Sequence, residues 1–225
     1  GPEAAAWLNR LLLHGTLTDW TDPLQLSEAI RRANSAERIR ACLRYAKAGA
    51  KRRIDSNAWG RVQEYLRPKG EDAEAWCTWA GVLVNDFARD QEAELAIRKS
   101  IDMKPTLANG WNGLGCILAE ASERLGEAEL ACRKAIELDP RYAVSWSSLG
   151  NILSDQGRAE AAEAAYRKAI ELDPRYAVPW NNLGSMLNDQ GHAEAAEAAY
   201  RKAIELDPQY AVPWNNLGSM LSDQG

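Results

Sequence analysis

Ala143–Tyr176 reads AVSWSSLGNILSDQGRAEAAEAAYRKAIELDPRY, and Ala177–Tyr210 reads AVPWNNLGSMLNDQGHAEAAEAAYRKAIELDPQY. The two stretches agree at most positions, and they begin 34 residues apart. A third copy starts at Ala211 and continues to Gly225. Repetition at such a period is typical of supersecondary units that stack on their neighbours. The sequence therefore predicts a repeat architecture and not one closed globule.

Each copy has the apolar spacing of two helices. Trp146, Leu149 and Leu153 recur at helical spacing and predict one face of a first helix, which Gly157 would end as a left-handed turn residue. A second helix follows and is expected to stop before Pro174, because proline disfavours helical geometry in the preceding residue. Its predicted face consists of Ala162, Tyr166 and Ala169.

Small and large side chains have different expected roles on these faces. Gly150, Ala162 and Ala169 stand where two helix backbones need to approach closely. Trp146 and Tyr166 are large, and we expect them to fill the space between neighbouring units.

The pattern W-x2-L-G-x2-L, A-x3-Y, A and P resembles the tetratricopeptide repeat, with Leu153 in place of the usual aromatic residue. The match recurs at Trp180, Leu183, Gly184, Ala196, Tyr200, Ala203 and Pro208. The resemblance implies an all-α fold, namely a right-handed α-solenoid (a tetratricopeptide superhelix) with a helical N-terminal cap. Two diverged copies precede the similar ones, and each has one extra residue, which we place in the turn between its helices, near residues 87–90 and 121–126.

Charge marks a boundary near residue 70. Residues 1–72 carry a net charge of +4 and residues 73–225 a net charge of −9. We predict a tag remnant at 1–2, a helical region of non-repeat or degenerate-repeat type at 3–70, and repeats at 71–225. The predicted units are 73–107, 108–142, 143–176, 177–210 and a partial unit at 211–225. We expect the intact protein to continue with more repeats.

No pattern in the sequence indicates catalysis, a cofactor or a metal. There is no phosphate-binding glycine loop or nucleophile motif, and neither His14 nor His192 stands at metal-ligand spacing. The four cysteines form no C-x-x-C pair and are expected to be reduced thiols, as in a cytoplasmic or otherwise intracellular protein. No apolar run approaches the ~20 residues that span a bilayer. We therefore predict a non-enzyme without cofactor, metal or membrane span.

The family resemblance implies that the first helices line a concave groove. Residues that stand the same number of positions after each repeat tryptophan would then form a row, or ladder, along this groove. An asparagine side chain can pair with both groups of a peptide backbone. Asn182 and Asn216 are similar to the asparagine ladder in the repeat region of O-linked N-acetylglucosamine transferase. The predicted peptide-binding residues are Asn112, Asn151, Asp155, Asn181, Asn182, Ser185, Asp189, Asn215 and Asn216. An equally open alternative gives these asparagines a purely local structural role.

The groove is expected to be neutral to acidic. Asp155, Asp189 and Asp223 recur at one position, where the family's clamp for the C-terminal tails of heat-shock chaperones needs a basic residue. Like charges would repel a tail's carboxylates, so that ligand is rejected in favour of polar or basic extended segments.

Three functional hypotheses follow. The first is a non-catalytic scaffold that binds an extended protein or peptide segment in the groove. The second is a substrate-recruiting or regulatory arm of a larger enzyme or signalling protein. The third, less favoured because no aromatic residues are interleaved, is a basic patch for nucleic acid or an anionic surface. That patch would consist of Arg44, Lys47, Lys51, Arg52 and Arg53. The partial last unit also predicts end-to-end self-association.

Overall fold

The computed structural model describes residue 70, residues 72–87 and residues 90–223. The expected N-terminal helical cap and the basic patch lie outside the described residues. Within the described part there are nine α-helices and one short 3-10 helix, without strands, as the sequence predicts. The chain divides into two compact units, residues 1–104 and 105–225.

The helices form successive hairpins. In the first unit, α1 (Ala73–Phe87) packs against α2 (Asp90–Met103). In the second unit, each hairpin packs on the next, so that this unit is an α-solenoid. Its helices are α3 (Ala108–Ala119), α4 (Leu125–Leu138), α5 (Ala143–Asp155), α6 (Ala159–Leu172), α7 (Ala177–Asp189), α8 (Ala193–Leu206) and α9 (Ala211–Asp223).

The two helices of a hairpin approach one another at a glycine. A Cβ atom at Gly150 of α5 would lie 2.5 Å from Cε1 of Tyr166 on α6. At Gly184 of α7 it would lie 2.8 Å from Cδ1 of Tyr200 on α8. Tyr166 therefore fills its own hairpin and not the space between units, because the missing side chain of the glycine leaves room for the ring there. The predicted faces are buried, at 3% exposure or less for Leu149, Leu153, Ala162, Tyr166 and Ala169.

The turns within the hairpins are of two kinds. Gly157 and Gly191 have φ angles of +73° and +79°, the left-handed conformation that glycine adopts without strain. After Gly157, the Arg158 N–H donates to the Leu153 carbonyl at 2.9 Å and closes the end of α5. The α3–α4 turn instead contains a 3-10 helix at Ser122–Arg124, within the predicted place of the extra residue.

Each repeat tryptophan is tied to the loop before its helix. The indole N–H of Trp146 donates to the carbonyl oxygen of Pro140 at 3.1 Å, and Trp146 itself stays half-buried. The same bond joins Trp111 to Pro105, Trp180 to Pro174 and Trp214 to Pro208, at 2.8–3.4 Å. This hydrogen bond fixes the start of each first helix relative to the loop that precedes it.

Successive first helices of the second unit contact one another: α3 with α5, α5 with α7 and α7 with α9. No comparable contact joins successive second helices in the part of the chain that the structure describes. The first helices therefore lie on the inner side of the stack, where the predicted site residues are.

Ion pairs cover the second helices. The predicted pairs Glu163–Arg167 and Glu197–Arg201 form at 2.7 and 2.8 Å. Glu129 on α4 pairs both with Arg133 of its own helix and with Arg158 of the next hairpin, each at 2.8 Å. Burial acts to raise the pKa of Glu129, but hydrogen bonds from Arg133, Gln156 and Arg158 outweigh it, so its pKa lies below the ordinary value.

We predict opposite effects of alanine at two equivalent glycines. Gly150→Ala should lower the free energy of unfolding by about 1–3 kcal/mol, because its Cβ would overlap the Tyr166 ring. Gly218→Ala should cause no loss, and helix propensity gives a gain of up to about 1 kcal/mol, because nothing lies within 4 Å of a Cβ there. Chemical denaturation of both variants measures the difference, and equal destabilisation would contradict the close approach.

We also predict a pH-dependent contribution from Glu129. Its lowered folded-state pKa means that the pairing stabilises the protein above the unfolded pKa of about 4.3 and is lost as pH falls through the folded value. Glu129→Gln should cost less than about 1 kcal/mol at pH 7, and the difference from wild type should shrink below about pH 4. The matched control is Glu163→Gln, which breaks only an i,i+4 pair; an equal cost for the two variants would argue against the inter-repeat pair.

Candidate functional site

The predicted groove residues fall into two classes by exposure. Asn112 and Asn181 are only 6% and 4% exposed, so they lie inside the stack and do not line an open groove as predicted. Ser147 of α5, also one position after its tryptophan, is likewise buried. Half-buried residues are Asn182, Ser185 and Asn216, and exposed ones are Asn151, Asp155, Asp189 and Asn215.

An inter-repeat ladder joins residues five positions after one tryptophan to residues two positions after the next. Its first rung is the Cys116 thiol donating to Ser148 Oγ at 3.5 Å. Its second is Asn182 Nδ2 donating to Asn151 Oδ1 at 2.7 Å. Its third is Asn216 Nδ2 donating to Ser185 Oγ at 3.3 Å. The residues of the second and third rungs were predicted to bind peptide, and the structure joins them to each other. Cys116 and Ser148 of the first rung were not among the predicted residues.

Buried amides and tyrosines extend the inter-repeat ladder. Asn181 Nδ2 donates to Asn182 Oδ1 at 3.0 Å, and Asn216 Nδ2 donates to Asn181 Oδ1 at 3.1 Å. From the second helices, the hydroxyls of Tyr166 and Tyr200 donate to Asn151 Oδ1 and Ser185 Oγ at 2.9 and 3.2 Å. Both groups of the Asn182 amide are thus engaged within the chain. The alternative of a structural role accounts for this asparagine.

Beside the first rung, one buried hydrogen-bond acceptor has no partner among the described residues. Asn112 Oδ1 is buried without a hydrogen-bond partner, and Asn112 Nδ2 reaches only the Cys116 sulfur at 4.0 Å. The equivalent oxygen on Asn181 accepts from the amide of Asn216. At the first rung Ser148 stands where the later repeats have asparagine, and a hydroxyl on one carbon is shorter than an amide. A buried acceptor left unpaired in this way costs about 1–3 kcal/mol.

Three tyrosines before the first helices belong to the same surface and were missed by the sequence reasoning. Burial raises the pKa of Tyr176, opposed by the Ser147 hydroxyl, while Tyr142, Cys116 and Tyr210 raise it further. The hydroxyl of Tyr142 donates to Asn109 Oδ1 at 3.2 Å. These tyrosines recur every 34 residues, so the signal was present, but it lies in loops outside the helical stripes.

Carboxylates form the exposed margin of this surface. Glu120, Asp155 and Asp189 each come four residues after a ladder residue and so lie one helical turn further along the same face. Within the described residues none of the three is in an ion pair, in contrast to the paired carboxylates of the second helices at Glu129 and Glu163. Their charge therefore faces solvent without compensation.

The cysteines that the structure describes are thiols and form no disulfide: Cys77, Cys116 and Cys132. Burial raises the pKa of Cys116 and Cys132 above the ordinary thiol value, so both are protonated at neutral pH. The described residues contain no group of His, Cys, Asp and Glu side chains that could hold a metal ion. None of the described helices has the length and apolarity to cross a membrane.

Completing the first rung should stabilise the chain. In Ser148→Asn the new amide can donate to Asn112 Oδ1, as Asn216 donates to Asn181, and should raise the free energy of unfolding by about 0.5–1.5 kcal/mol. The matched control is Asn182→Ser, which removes a rung and should lower it. Denaturant titration of both variants tests this, and a destabilised Ser148→Asn would contradict the expected bond to Asn112 Oδ1.

The sequence and structural comparisons agree with this architecture. Tetratricopeptide repeat models match residues 148–211, residues 131–164 with 199–225, and residues 108–142. Together they span residues 108–225, just over half of the chain. No curated protein sequence matches the chain significantly.

Two solved structures share the fold at low sequence identity. A thermophilic tetratricopeptide repeat protein of Thermus thermophilus, TTC0263, has a TM-score of 0.65 and 20% identity, over 88% of this chain and 97% of its own. MamA has a TM-score of 0.53 and 20% identity, over 71% of this chain and 98% of its own. The repeat-model matches over residues 108–225 show that the chain belongs to the tetratricopeptide repeat family, and the Trp–Pro ties, the glycine–tyrosine contacts and the stacked hairpins agree with it.

Proposed function

We propose that this chain is a protein–protein interaction scaffold whose first helices, in residues 105–225, bind an extended basic segment of a partner. Tetratricopeptide repeats indicate a protein-interaction scaffold in general. The finer statement, that the ligand is extended and basic, is supported by the charges and the hydrogen bonds of the inner surface. It applies equally if these repeats act as an arm of a larger protein.

The observation that carries the proposal is the uncompensated acidic row at Glu120, Asp155 and Asp189. One carboxylate per repeat, all on the same face, presents negative charge at the regular spacing of the hairpins. A ligand with lysine or arginine side chains along an extended backbone can place one cation near each carboxylate. Such complementarity raises association rates and selects partners by charge.

Within the inter-repeat ladder, a ligand can bond only to the polar groups that the rungs do not use. Asn151 Oδ1 already accepts two hydrogen bonds, whereas its Nδ2 makes none within the described chain. Asn216 uses its Nδ2 twice, and its Oδ1 accepts no hydrogen bond from the described residues. A peptide backbone could bond to these two groups without breaking a rung. Half-buried Tyr176 and Tyr210 add aromatic faces on which a guanidinium or ammonium group can rest.

The test compares charge removal on two faces. We expect a labelled peptide of alternating lysine and serine to bind, and a peptide of alternating glutamate and serine not to bind. Asp155→Asn with Asp189→Asn should weaken binding of the basic peptide by about two- to thirtyfold, since two exposed charge pairs are lost and each contributes about 0.2–1 kcal/mol. Fluorescence anisotropy at low and physiological salt measures the change.

The control removes the same charge from another face. Glu160 and Glu194 are exposed in the first turn of α6 and α8, and Glu160→Gln with Glu194→Gln leaves the inner surface intact. This variant should bind like wild type. If both double variants lose affinity equally, the peptide is responding to net charge alone, and the proposal of a binding surface on the first helices is wrong.

A further inference from the structure

The inner surface of the second unit carries smaller side chains at one end than at the other. Two residues after the repeat tryptophan, α3 has Gly113 and α5 has Ser148, whereas α7 and α9 have Asn182 and Asn216. Glycine has no side chain and serine has a short one, so α3 and α5 form a depression where the later helices carry amides. Cys116, one helical turn after Gly113, is exposed at this depression.

Below the depression lies a polar group that the described chain does not use. Asn112 is only 6% exposed, and its Nδ2 lies 4.0 Å from the Cys116 sulfur. Its Oδ1 accepts no hydrogen bond from any described residue. The equivalent oxygen, on Asn181, accepts at 3.1 Å from the next repeat. A donor that enters the depression can therefore pair with an acceptor that is already desolvated.

We propose that this depression binds the side-chain carboxamide of one glutamine in the extended segment that the inner surface holds. The inference rests on the proposed function and adds a second feature to the same ligand. The glutamine nitrogen would donate to Asn112 Oδ1. The glutamine oxygen would accept from the Ser148 hydroxyl, which accepts the Cys116 thiol at 3.5 Å and keeps its own hydrogen to donate. These three residues constitute the amide subsite.

The amide subsite discriminates among polar side chains by their donors and acceptors. A carboxylate has no hydrogen to donate to Asn112 Oδ1, and it would lie near Glu120, one helical turn after Cys116. An ammonium group has no acceptor for the Ser148 hydroxyl, and burying its charge beside a neutral thiol is costly. A carboxamide satisfies both groups. Glutamine has a longer reach than asparagine, because the ligand backbone lies over the surface and the oxygen lies below it.

Ser148→Asn blocks the amide subsite from within the chain. Its new amide can donate to Asn112 Oδ1 in place of the ligand. The matched control is Ser154→Asn on the same helix, where the side chain is exposed and the next repeat already has Asn188. Thermal unfolding followed by circular dichroism establishes that both variants are folded.

The experiment measures binding of labelled peptides to the whole 225-residue chain by fluorescence anisotropy. The reference is the peptide of alternating lysine and serine, and four test peptides carry glutamine, glutamate, methionine or lysine in place of the central serine. The glutamine peptide should bind about two- to twelvefold more tightly than the methionine peptide of similar size, the gain expected from one hydrogen bond to a buried group. The glutamate peptide should bind more weakly than the methionine peptide.

The variants separate the amide subsite from the acidic row. Ser148→Asn should abolish the advantage of glutamine over methionine, and Ser154→Asn should preserve it. Asp155→Asn with Asp189→Asn should weaken all the basic peptides together and leave the advantage of glutamine unchanged, because the two features act at different places on the surface.

The outcomes distinguish a failure of the amide subsite from a failure of the proposed function. Absence of binding by every peptide would overturn both. Binding of the reference peptide with no advantage of glutamine over methionine would overturn the amide subsite alone, as would an advantage that Ser148→Asn leaves unchanged. The largest gain with a central lysine would overturn the choice of a carboxamide as the ligand group.

Discussion

The close approach of two helices at a glycine determines most of what the rest of the second unit does. Because Gly150 has no side chain, the Tyr166 ring can lie across α5, and its length then brings the hydroxyl to Asn151 on the inner surface. The same geometry brings Tyr200 to Ser185. A packing contact inside one hairpin therefore sets the position of a polar group that bonds to the next hairpin.

This coupling explains why the inner surface is polar although most of its polar groups are hydrogen-bonded to other residues of the chain. Buried polar groups need partners, and in a stack the nearest partners belong to neighbouring repeats. Asn181, Asn182 and Asn216 bond to one another and to their neighbours, so most of their capacity holds repeats together. The carboxylates of Asp155 and Asp189, one helical turn further along, take no part in this cohesion, and the proposed recognition by charge rests on them.

The sequence predicted those features that depend on local pattern. The helix faces, the left-handed Gly157 and the helix end before Pro174 each rest on residues a few positions apart, and all appear in the structure. The burial of Asn181 beside half-buried Asn182 could not be predicted, because it depends on the angle at which one hairpin stacks on the next. Tyr176 was missed because a loop residue has no helical periodicity that would place it on the inner surface.

Two neighbouring interfaces hold the stack in different ways. The first interface joins the hairpin of α3 and α4 to the hairpin of α5 and α6. Its inner rung is the hydrogen bond from the Cys116 thiol to Ser148 at 3.5 Å. On its outer side Arg158 pairs with Glu129, and the Gln156 amide donates to the Leu125 carbonyl at 3.2 Å. At the next interface His192 replaces that arginine, and amides form the inner rung at 2.7 Å. Since each hairpin is stabilised mainly through its neighbours, a weak rung is tolerated where another contact spans the same interface. The diverged repeats can thus lose the asparagine ladder without losing the stack.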